Sequence, residues 1–337
     1  MNQPMRARTS ATSRWPQRLA LSALAAAVPL VFFGGSVTTL HAGLAIDGWL
    51  VLEPGRGDHF LWLYPVDKWF RDLGTFVEHT HRLLGSLVGL LAIATVVTTW
   101  ATDRRRLPRI LSLAALLAVI VQGTIGGFRV LERSEDLAFL HGAIAQGVFA
   151  LLGASWIALA PALPAERRAA AALDRRLRRL STAAVASVYL QIVAGAWLRH
   201  GGGIGALAVH LAGVVAVLIL VPLLVRRLRE GGDRASAEER TRLRPLRRWL
   251  LGALAGQLAL GVATLVVVSM PAAARAGEGL GTAALPTLHV VGGGILLLAC
   301  VASSMWAHRV FPSRADRAIE AAPALGLDGR ERWEAAR

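Results

Sequence analysis

Residues 78–100 read EHTHRLLGSLVGLLAIATVVTTW, a charged pentad followed by an apolar run. The run from Leu83 to Trp100 is about as long as a helix needs to cross the hydrocarbon core of a membrane. A carboxylate, two imidazoles and a guanidinium are costly at the start of such a helix, so they indicate a functional site. On a helix, Glu78 and His81 share a face because they are three residues apart. Arg82 follows directly, and its fork of donors can bind a carboxylate or a phosphate.

The whole chain is too apolar for an ordinary soluble domain. Of its 337 residues, 54% are hydrophobic, and the mean hydropathy is +0.50. These values are typical of a polytopic membrane protein. The net charge is +15, but the arginines flank the apolar runs, which indicates membrane topology, and we expect no nucleic-acid partner. The one cysteine, Cys300, excludes an internal disulfide and a thiolate metal cluster.

Most of the apolar segments are long enough to span a bilayer as helices. There are eight, at residues 18–40, 83–101, 108–128, 138–160, 180–198, 204–225, 249–269 and 286–307. Lipid offers no hydrogen-bond partner to the backbone, and runs rich in Leu and Ala are not barrel strands. The sequence therefore predicts an all-α polytopic membrane protein with eight transmembrane helices. The first segment could instead be a secretory signal, but its length and the lack of an A-x-A site favour a retained helix.

Lysine and arginine are distributed unevenly between alternate loops. Of the 37 lysines and arginines, 29 lie in the N-terminal segment through Arg18, in the alternate loops 102–109, 161–181 and 226–248, and in the tail. The other loops carry 8. By the positive-inside rule we predict a protein of the cell (inner) membrane with both termini in the cytoplasm. The outer loop at 41–82 is long. It either lies on the membrane surface over the mouth of a site or merely connects two helices.

The sequence reads as two copies of one four-helix unit. Glycine-rich helix ends at 34–43 and 194–202 correspond, as do glutamine-containing stretches at 122–127 and 257–261. Each copy has an even number of helices, so both copies keep the same orientation and form a parallel repeat. The predicted boundaries are a cytoplasmic tail at 1–17, four-helix halves at 18–165 and 166–311, and a flexible cytoplasmic tail at 312–337.

Four histidines occupy corresponding positions near the outer ends of helices: His81, His141, His210 and His289. Glycine follows each of them closely, which lets a planar group or another helix approach the backbone. Two facing imidazoles inside a four-helix bundle can ligate haem iron axially, and each half supplies one pair. Zinc is less favoured because the second half offers no carboxylate or thiolate partner. For a single intramembrane histidine, the alternative is an interhelical hydrogen bond.

Three arginines at outer helix ends could bind the carboxylates of haem propionates: Arg82, Arg129 and Arg199. The remaining histidines lie in loops or at interfaces, and we predict no ligand role for them: His41, His59, His79, His200 and His308. The two halves differ, because Glu78 and Arg82 flank the first histidine whereas Val209 and Leu211 flank His210. This asymmetry suggests one haem that reacts and one that stores or relays an electron.

The pattern resembles the haem A synthase family over nearly the whole chain. The E-x-x-H-R motif is matched by Glu78, His81 and Arg82, and single histidines stand in the expected helices at 141, 210 and 289. The resemblance implies that haem O binds as substrate between His81 and His141. Its C8 methyl group would be oxidised to a formyl group with help from Glu78, and a haem b between His210 and His289 would pass electrons.

The resemblance leaves the partners and two other functions open. We expect an electron donor that the sequence does not identify, with haem O synthase or oxidase assembly factors as further candidate partners in the lipid bilayer. Some family members carry a cysteine pair in the first outer loop, which this chain lacks. A di-haem b-type membrane cytochrome that only transfers electrons would need the four histidines but not Glu78. A histidine-containing transporter would need polar groups at midplane, where the sequence has few charges.

Overall fold

Long helices dominate the computed structural model, which describes residues 13–160, 175–234, 237–270 and 280–310. The long helices are α1 (Trp15–Thr39), α3 (Leu73–Thr102), α4 (Arg106–Leu131), α5 (Glu135–Leu159), α6 (Arg175–Arg199), α7 (Gly203–Arg234), α8 (Ala237–Ser269) and α9 (Leu280–Val310). All eight are long and apolar enough to cross a membrane. The predicted fold class is confirmed. Most of the predicted tails and of the connection between the halves lies outside the described residues.

Helix α3 begins ten residues before the apolar run from which its span was predicted. Asp72 caps it, because its carboxylate accepts a hydrogen bond from the Thr75 backbone N–H at 2.8 Å. This bond lowers the pKa of Asp72 below its ordinary value, so the cap stays charged at neutral pH. The pentad 78–82 therefore lies inside a formed helix rather than at its mouth. The backbone hydrogen bonds of α3 continue through the pentad and fix the directions in which its side chains leave the helix.

The helices contact one another in two groups of four. Helices α1, α3, α4 and α5 touch in a closed order, and so do α6, α7, α8 and α9. The groups meet where α1 and α5 pack against α9 and where α5 packs against α6. Helices α5 and α9 have the largest buried shares, whereas α8 is largely exposed, as a lipid-facing helix would be. These contacts fit the two-copy arrangement, which stays a prediction.

The first outer loop folds into a small structure of its own. It contains β1 (Val51–Leu52) paired antiparallel with β2 (His59–Phe60), a 3-10 turn at Leu61–Leu63 and the short helix α2 (Val66–Trp69). Its buried side chains are Ile46, Leu52, Leu61 and Tyr64, with Trp69 packed against them. The Trp69 indole N–H donates to the hydroxyl of Thr80 on α3 at 3.2 Å. The loop is thus packed against α3 at the start of the pentad.

A half-buried ion pair helps to hold this loop and makes it sensitive to acid. Lys68 donates to Glu53 at 2.5 Å, and the Tyr64 hydroxyl donates to the same carboxylate at 3.1 Å. The bond from Lys68 lowers the pKa of Glu53 below its ordinary value of 4.5. Burial and the bond to Glu53 raise the pKa of Tyr64 to about 12, so the phenol remains a donor.

We expect acid to loosen the loop. A carboxylate whose pKa is lower in the folded state stabilises the fold above its unfolded pKa, and this stabilisation is lost as the pH falls through the folded pKa. Hydrogen exchange of residues 46–64, corrected for intrinsic rates, should therefore accelerate below about pH 4. Glu53→Gln should exchange faster at neutral pH and lose that pH dependence. The exposed Asp67→Asn is the control, and a wild-type loop that stays equally protected in acid would contradict the role of Glu53.

Candidate functional site

The helices bring the four histidines together as the two predicted pairs. The ring centroids of His81 on α3 and His141 on α5 lie 6.3 Å apart, with the ring planes at 83°. Those of His210 on α7 and His289 on α9 lie 6.3 Å apart, at 73°. The two halves therefore present the same spacing of two imidazoles from facing helices.

This spacing fits a metal held between the two rings. Metal–nitrogen bonds of about 2 Å, with each nitrogen about 1 Å from its ring centre, place two trans imidazoles about 6 Å apart. Within the described ranges, no cluster of three His, Cys, Asp or Glu side chains could hold a metal ion. Two imidazoles per site suit an iron whose other ligands come from a porphyrin. The residues present thus fit axial haem ligation.

A glycine on the neighbouring helix lies against each of the four rings. These glycines are Gly34, Gly126, Gly195 and Gly261. A Cβ at any of them would lie 2.7 to 3.1 Å from the Cε1 atom of the facing imidazole. Only glycine leaves the rings in their present positions without a shift of the helices.

The glycines that follow the histidines in sequence have other neighbours. Gly213 and Gly292 face the side-chain amides of Gln191 and Gln257, and Gly142 faces His200. The sequence allowed either a planar group or another helix to approach these glycines. In the structure, side chains of neighbouring protein segments lie against them.

Glutamine side chains contact three of the four histidines. Gln122 donates to the His141 carbonyl at 2.8 Å and Gln191 to the His210 carbonyl at 2.9 Å, while Gln257 lies 3.5 Å from the His289 ring. Gln191 is not among the residues predicted from the sequence. The available signal was the spacing Q-x-x-x-G, which occurs at 122–126, 191–195 and 257–261 and ends each time on a ring-facing glycine.

The fourth histidine has a different partner. The Nδ1–H of His81 donates to the backbone carbonyl of Leu30 on α1 at 3.1 Å. Leu30 precedes the ring-facing Gly34 by four residues, so it stands where the other three helices have glutamine. Nδ1 of His141 and of His289 is buried without a hydrogen-bond partner. Such unsatisfied polar atoms are unusual and often mark a binding site.

Glu78 and Arg82 form a buried ion pair at 2.6 Å, with side chains 3% and 9% exposed. The other carboxylate oxygen of Glu78 accepts the backbone N–H of Ile46 at 3.0 Å. Arg82 also donates to the carbonyls of Ile46 at 3.0 Å and Gly48 at 2.7 Å. In this structure both side chains fasten the first outer loop to α3, so the guanidinium predicted to bind a propionate already has protein partners.

The same loop reaches the outer end of α4. The indole ring of Trp49 packs so closely on Gly127 that a Cβ there would overlap it. Since residues 46–49 are fastened to α3 by Glu78 and Arg82, the loop joins α3 to the end of α4 that carries Gly127. The loop is therefore packed against two helices, and its covering of a site stays a prediction.

Arg129 differs from the other two predicted arginines. It lies close enough to interact electrostatically with His81, His141 and Glu78. Its guanidinium makes no hydrogen bond or ion pair with any of the residues that the structure describes. Its guanidinium faces Gly43, where a Cβ would overlap it. Arg129 thus brings an uncommitted cation to the first pair.

Arg199 connects the two groups of helices. Its guanidinium donates to the Gly35 carbonyl of α1 at 2.5 Å and to the hydroxyl of Thr39. It also lies within electrostatic range of His289. Within the described residues, the cation near the second pair is thus Arg199, and it is anchored to the first group.

The histidines without a predicted ligand role have protein neighbours. His79 is buried between Tyr64 and Trp69, with ring centroids 4.9 and 5.1 Å away. His59 lies 3.2 Å from the Lys68 amine. His200, just beyond α6, has its pKa lowered by burial and by nearby arginines, so it is neutral at pH 7. These contacts give His59 and His79 packing roles in the outer loop.

Comparisons with known proteins cover the part of the chain that carries the first half of this site. Residues 67–208 match the COX15-CtaA family, described as cytochrome oxidase assembly protein. A curated heme A synthase of Exiguobacterium sp. is 30% identical over 185 residues, 51% of this chain and 58% of the relative. The aligned region thus spans less than two thirds of that relative. No solved structure matches. The family match contains Glu78, Arg82, His81 and His141 and ends two residues before His210.

Proposed function

Because the family match and the curated relative support the haem A synthase family for this chain, we propose that it converts haem O to haem A. The reaction would oxidise the C8 methyl group of haem O to a formyl group. One observation carries the proposal: two equally spaced histidine pairs differ in their surroundings. The helix of His81 in the first pair also carries a buried carboxylate–guanidinium pair, whereas the residues on either side of His210 in the second pair are Val209 and Leu211.

His81 and His141 would hold the iron of haem O and so fix the position of its macrocycle. Their rings are held against Gly34 and Gly126, which limits how far either can rotate. Arg129 would bind a propionate, because its guanidinium lies near the first pair and has no hydrogen bond or ion pair within the described residues. Together these groups would orient the C8 methyl group relative to Glu78.

Glu78 is the group that we assign to the chemistry. Converting a methyl group to a formyl group removes four electrons and adds one oxygen atom, so the reaction needs an oxidant. With dioxygen as the oxidant and an electron donor as the reductant, R–CH3 + 2 O2 + 4 e− + 4 H+ gives R–CHO + 3 H2O. A buried carboxylate can accept a proton or stabilise positive charge that develops nearby. Arg82 would keep this carboxylate oriented through their 2.6 Å contact. Loop residues 46–49 would limit the access of bulk water from outside.

His210 and His289 would hold a haem b that relays electrons. When bound, this haem supplies one-electron chemistry that no side chain of the protein provides. The absence of charged residues beside His210 suits a site that moves electrons rather than protons. Arg199, near His289, is the candidate partner for its propionates. We place the enzyme in the cell (inner) membrane with cytoplasmic termini, supplied by an electron donor that stays unidentified.

A di-haem cytochrome without synthase activity is the second candidate. It is favoured by the fact that both oxygens of Glu78 and much of Arg82 are already used to fasten the outer loop. In that case the pair would be structural.

Haem extraction separates the two candidates. The protein is purified from cells that make haem O, and its haems are extracted and separated by chromatography. We expect haem A together with haem b, whereas membranes from the same cells without the protein should contain no haem A. Haem b alone, bound in full amount, would contradict the synthase and leave the electron carrier.

A further inference from the structure

A small cavity lies between the helices of the first group, α1, α3, α4 and α5, at the end opposite the first outer loop. Each helix lines it with two residues that are three apart in sequence, and all of these residues are buried. Three of them carry hydroxyls, Thr95, Ser112 and Ser155, and the others are alanines and Leu152. The cavity volume is about 10 Å³, which is at the lower limit for one water molecule and excludes a larger ligand.

The three hydroxyls differ in where their protons go. Thr95 donates to the carbonyl of Leu91 at 2.7 Å, within α3. Ser112 donates to the carbonyl of Arg109 at 3.1 Å, within α4. The Ser155 hydroxyl is buried and has no hydrogen-bond partner among the described residues. Thr95 and Ser112 thus keep lone pairs as acceptors, while Ser155 keeps a donor that lacks an acceptor.

We propose that this cavity binds one water molecule that bridges α3, α4 and α5. The water would accept the Ser155 O–H and donate its own two protons to the hydroxyl oxygens of Thr95 and Ser112. It would then make three hydrogen bonds, which is the usual number for a buried water. The bridge would also give Ser155 the partner that a buried hydroxyl normally has.

The second group of helices has no need of such a water at the corresponding place. Counting from the histidine of each helix, Leu224 corresponds to Thr95, and Ser303 corresponds to Ser155. Leu224 is fully buried and brings an apolar side chain in place of a hydroxyl. Ser303 donates to the carbonyl of Ala299 at 2.8 Å, so its proton has an acceptor within its own helix. We therefore expect the water in the first group alone.

The water would help to position the helices of the first histidine pair. Thr95 follows His81 by fourteen residues on α3, and Ser155 follows His141 by fourteen residues on α5. At a rise of 1.5 Å per residue, each hydroxyl lies roughly 21 Å along its helix from the histidine. A water bonded to both would fix the separation of these helices at the end remote from the imidazoles. Because the water needs no haem, this proposal can fail or hold independently of the proposed function.

A structure of the purified full-length protein, at a resolution that shows ordered water, tests the site directly. We expect one density peak within about 3.2 Å of the hydroxyl oxygens of Thr95, Ser112 and Ser155. The absence of a peak, with the Ser155 hydroxyl turned to a carbonyl of α5, would overturn the proposal. A peak that contacts the hydroxyl of one helix only would overturn it as well.

A double-mutant cycle tests the bridge in detergent solution. Thr95→Val and Ser155→Ala each remove one hydroxyl, and no hydrogen bond joins these two side chains in the described structure. If a water joins them, the first change already breaks the bridge. The combined effect on the unfolding equilibrium constant, measured in mixed micelles, should then be smaller than the product of the single effects by about threefold or more.

Thr99→Val is the matched control for this cycle. Thr99 lies one turn beyond Thr95 on α3, and its hydroxyl is also buried without a partner among the described residues. It is not among the residues that line the cavity. The effects of Thr99→Val and Ser155→Ala should therefore multiply. Effects that multiply in both cycles, or that depart equally from the product in both, would refute the water bridge.

Discussion

Glu78→Gln is expected to slow haem A formation by about 100- to 10,000-fold while both haems stay bound. The amide oxygen of glutamine can keep one of the two contacts of this side chain, with Arg82 or with the Ile46 backbone N–H. Arg82 also donates to the Ile46 and Gly48 carbonyls, so the outer loop should stay fastened through these bonds. The negative charge, the ability to accept a proton and one hydrogen bond are lost. The measurement is the ratio of haem A to haem O in the purified protein, followed over time after haem O is supplied.

Glu78→Ala disturbs the structure around residue 78 more than Glu78→Gln does. Glu78→Ala would also leave Arg82 unpaired in a buried position, which typically costs about 3–5 kcal/mol. It would release Ile46 as well, so a loss of activity could reflect a displaced loop. Wild-type conversion by Glu78→Gln would refute a chemical role for this carboxylate. Loss of haem from the same variant would show that the pair is structural.

Removing one histidine from each pair should empty one site and spare the other. His141→Ala is expected to lower haem O in the first half by about tenfold or more, while His289→Ala should do the same to haem b in the second. Each loss follows because the remaining imidazole holds the iron from one side only. Both variants should fail to make haem A, the first for lack of substrate and the second for lack of an electron path.

Haem composition checks this pairing directly. Each purified variant is compared for its content of haem O, haem A and haem b, with His308→Ala as the control, an exposed histidine at the inner end of α9. If His141→Ala and His289→Ala removed the same haem, that haem would have to be held by one histidine from each half. That result would conflict with the two 6.3 Å spacings.

Some of this architecture was predictable because it depends on local properties of the sequence. All eight predicted spans are helices in the structure, since the length and hydropathy of a segment decide whether it can cross a membrane. The partners of each histidine could be predicted from the repeat. Helices of the same orientation place their histidines at the same depth, and neighbouring helices in one unit bring them together.

Other features were hidden because they depend on polar contacts between distant segments. The extra turns at the start of α3 follow from the Asp72 cap, which lies in a stretch of mixed charge that the hydropathy pattern reads as loop. The partner of Arg82 was expected to be a propionate, but its guanidinium donates to four protein oxygens. These are three backbone carbonyls of the loop and one carboxylate oxygen of Glu78. No spacing rule connects residue 82 with residues 46 and 48.

The sequence by itself determined that this protein has eight helices long and apolar enough to span a membrane, because length and hydropathy are properties of each segment alone. It also predicted that four histidines lie at corresponding positions in these helices. Only the tertiary structure decided which neighbours those histidines have. Rotation of each helix about its axis places Gly34, Gly126, Gly195 and Gly261 under the rings. The same packing places Gln191 and Gln257 beside His210 and His289. The ion pair of Glu78 and Arg82 lies instead on the helix that carries His81. Such contacts arise from how helices dock, which no single segment encodes.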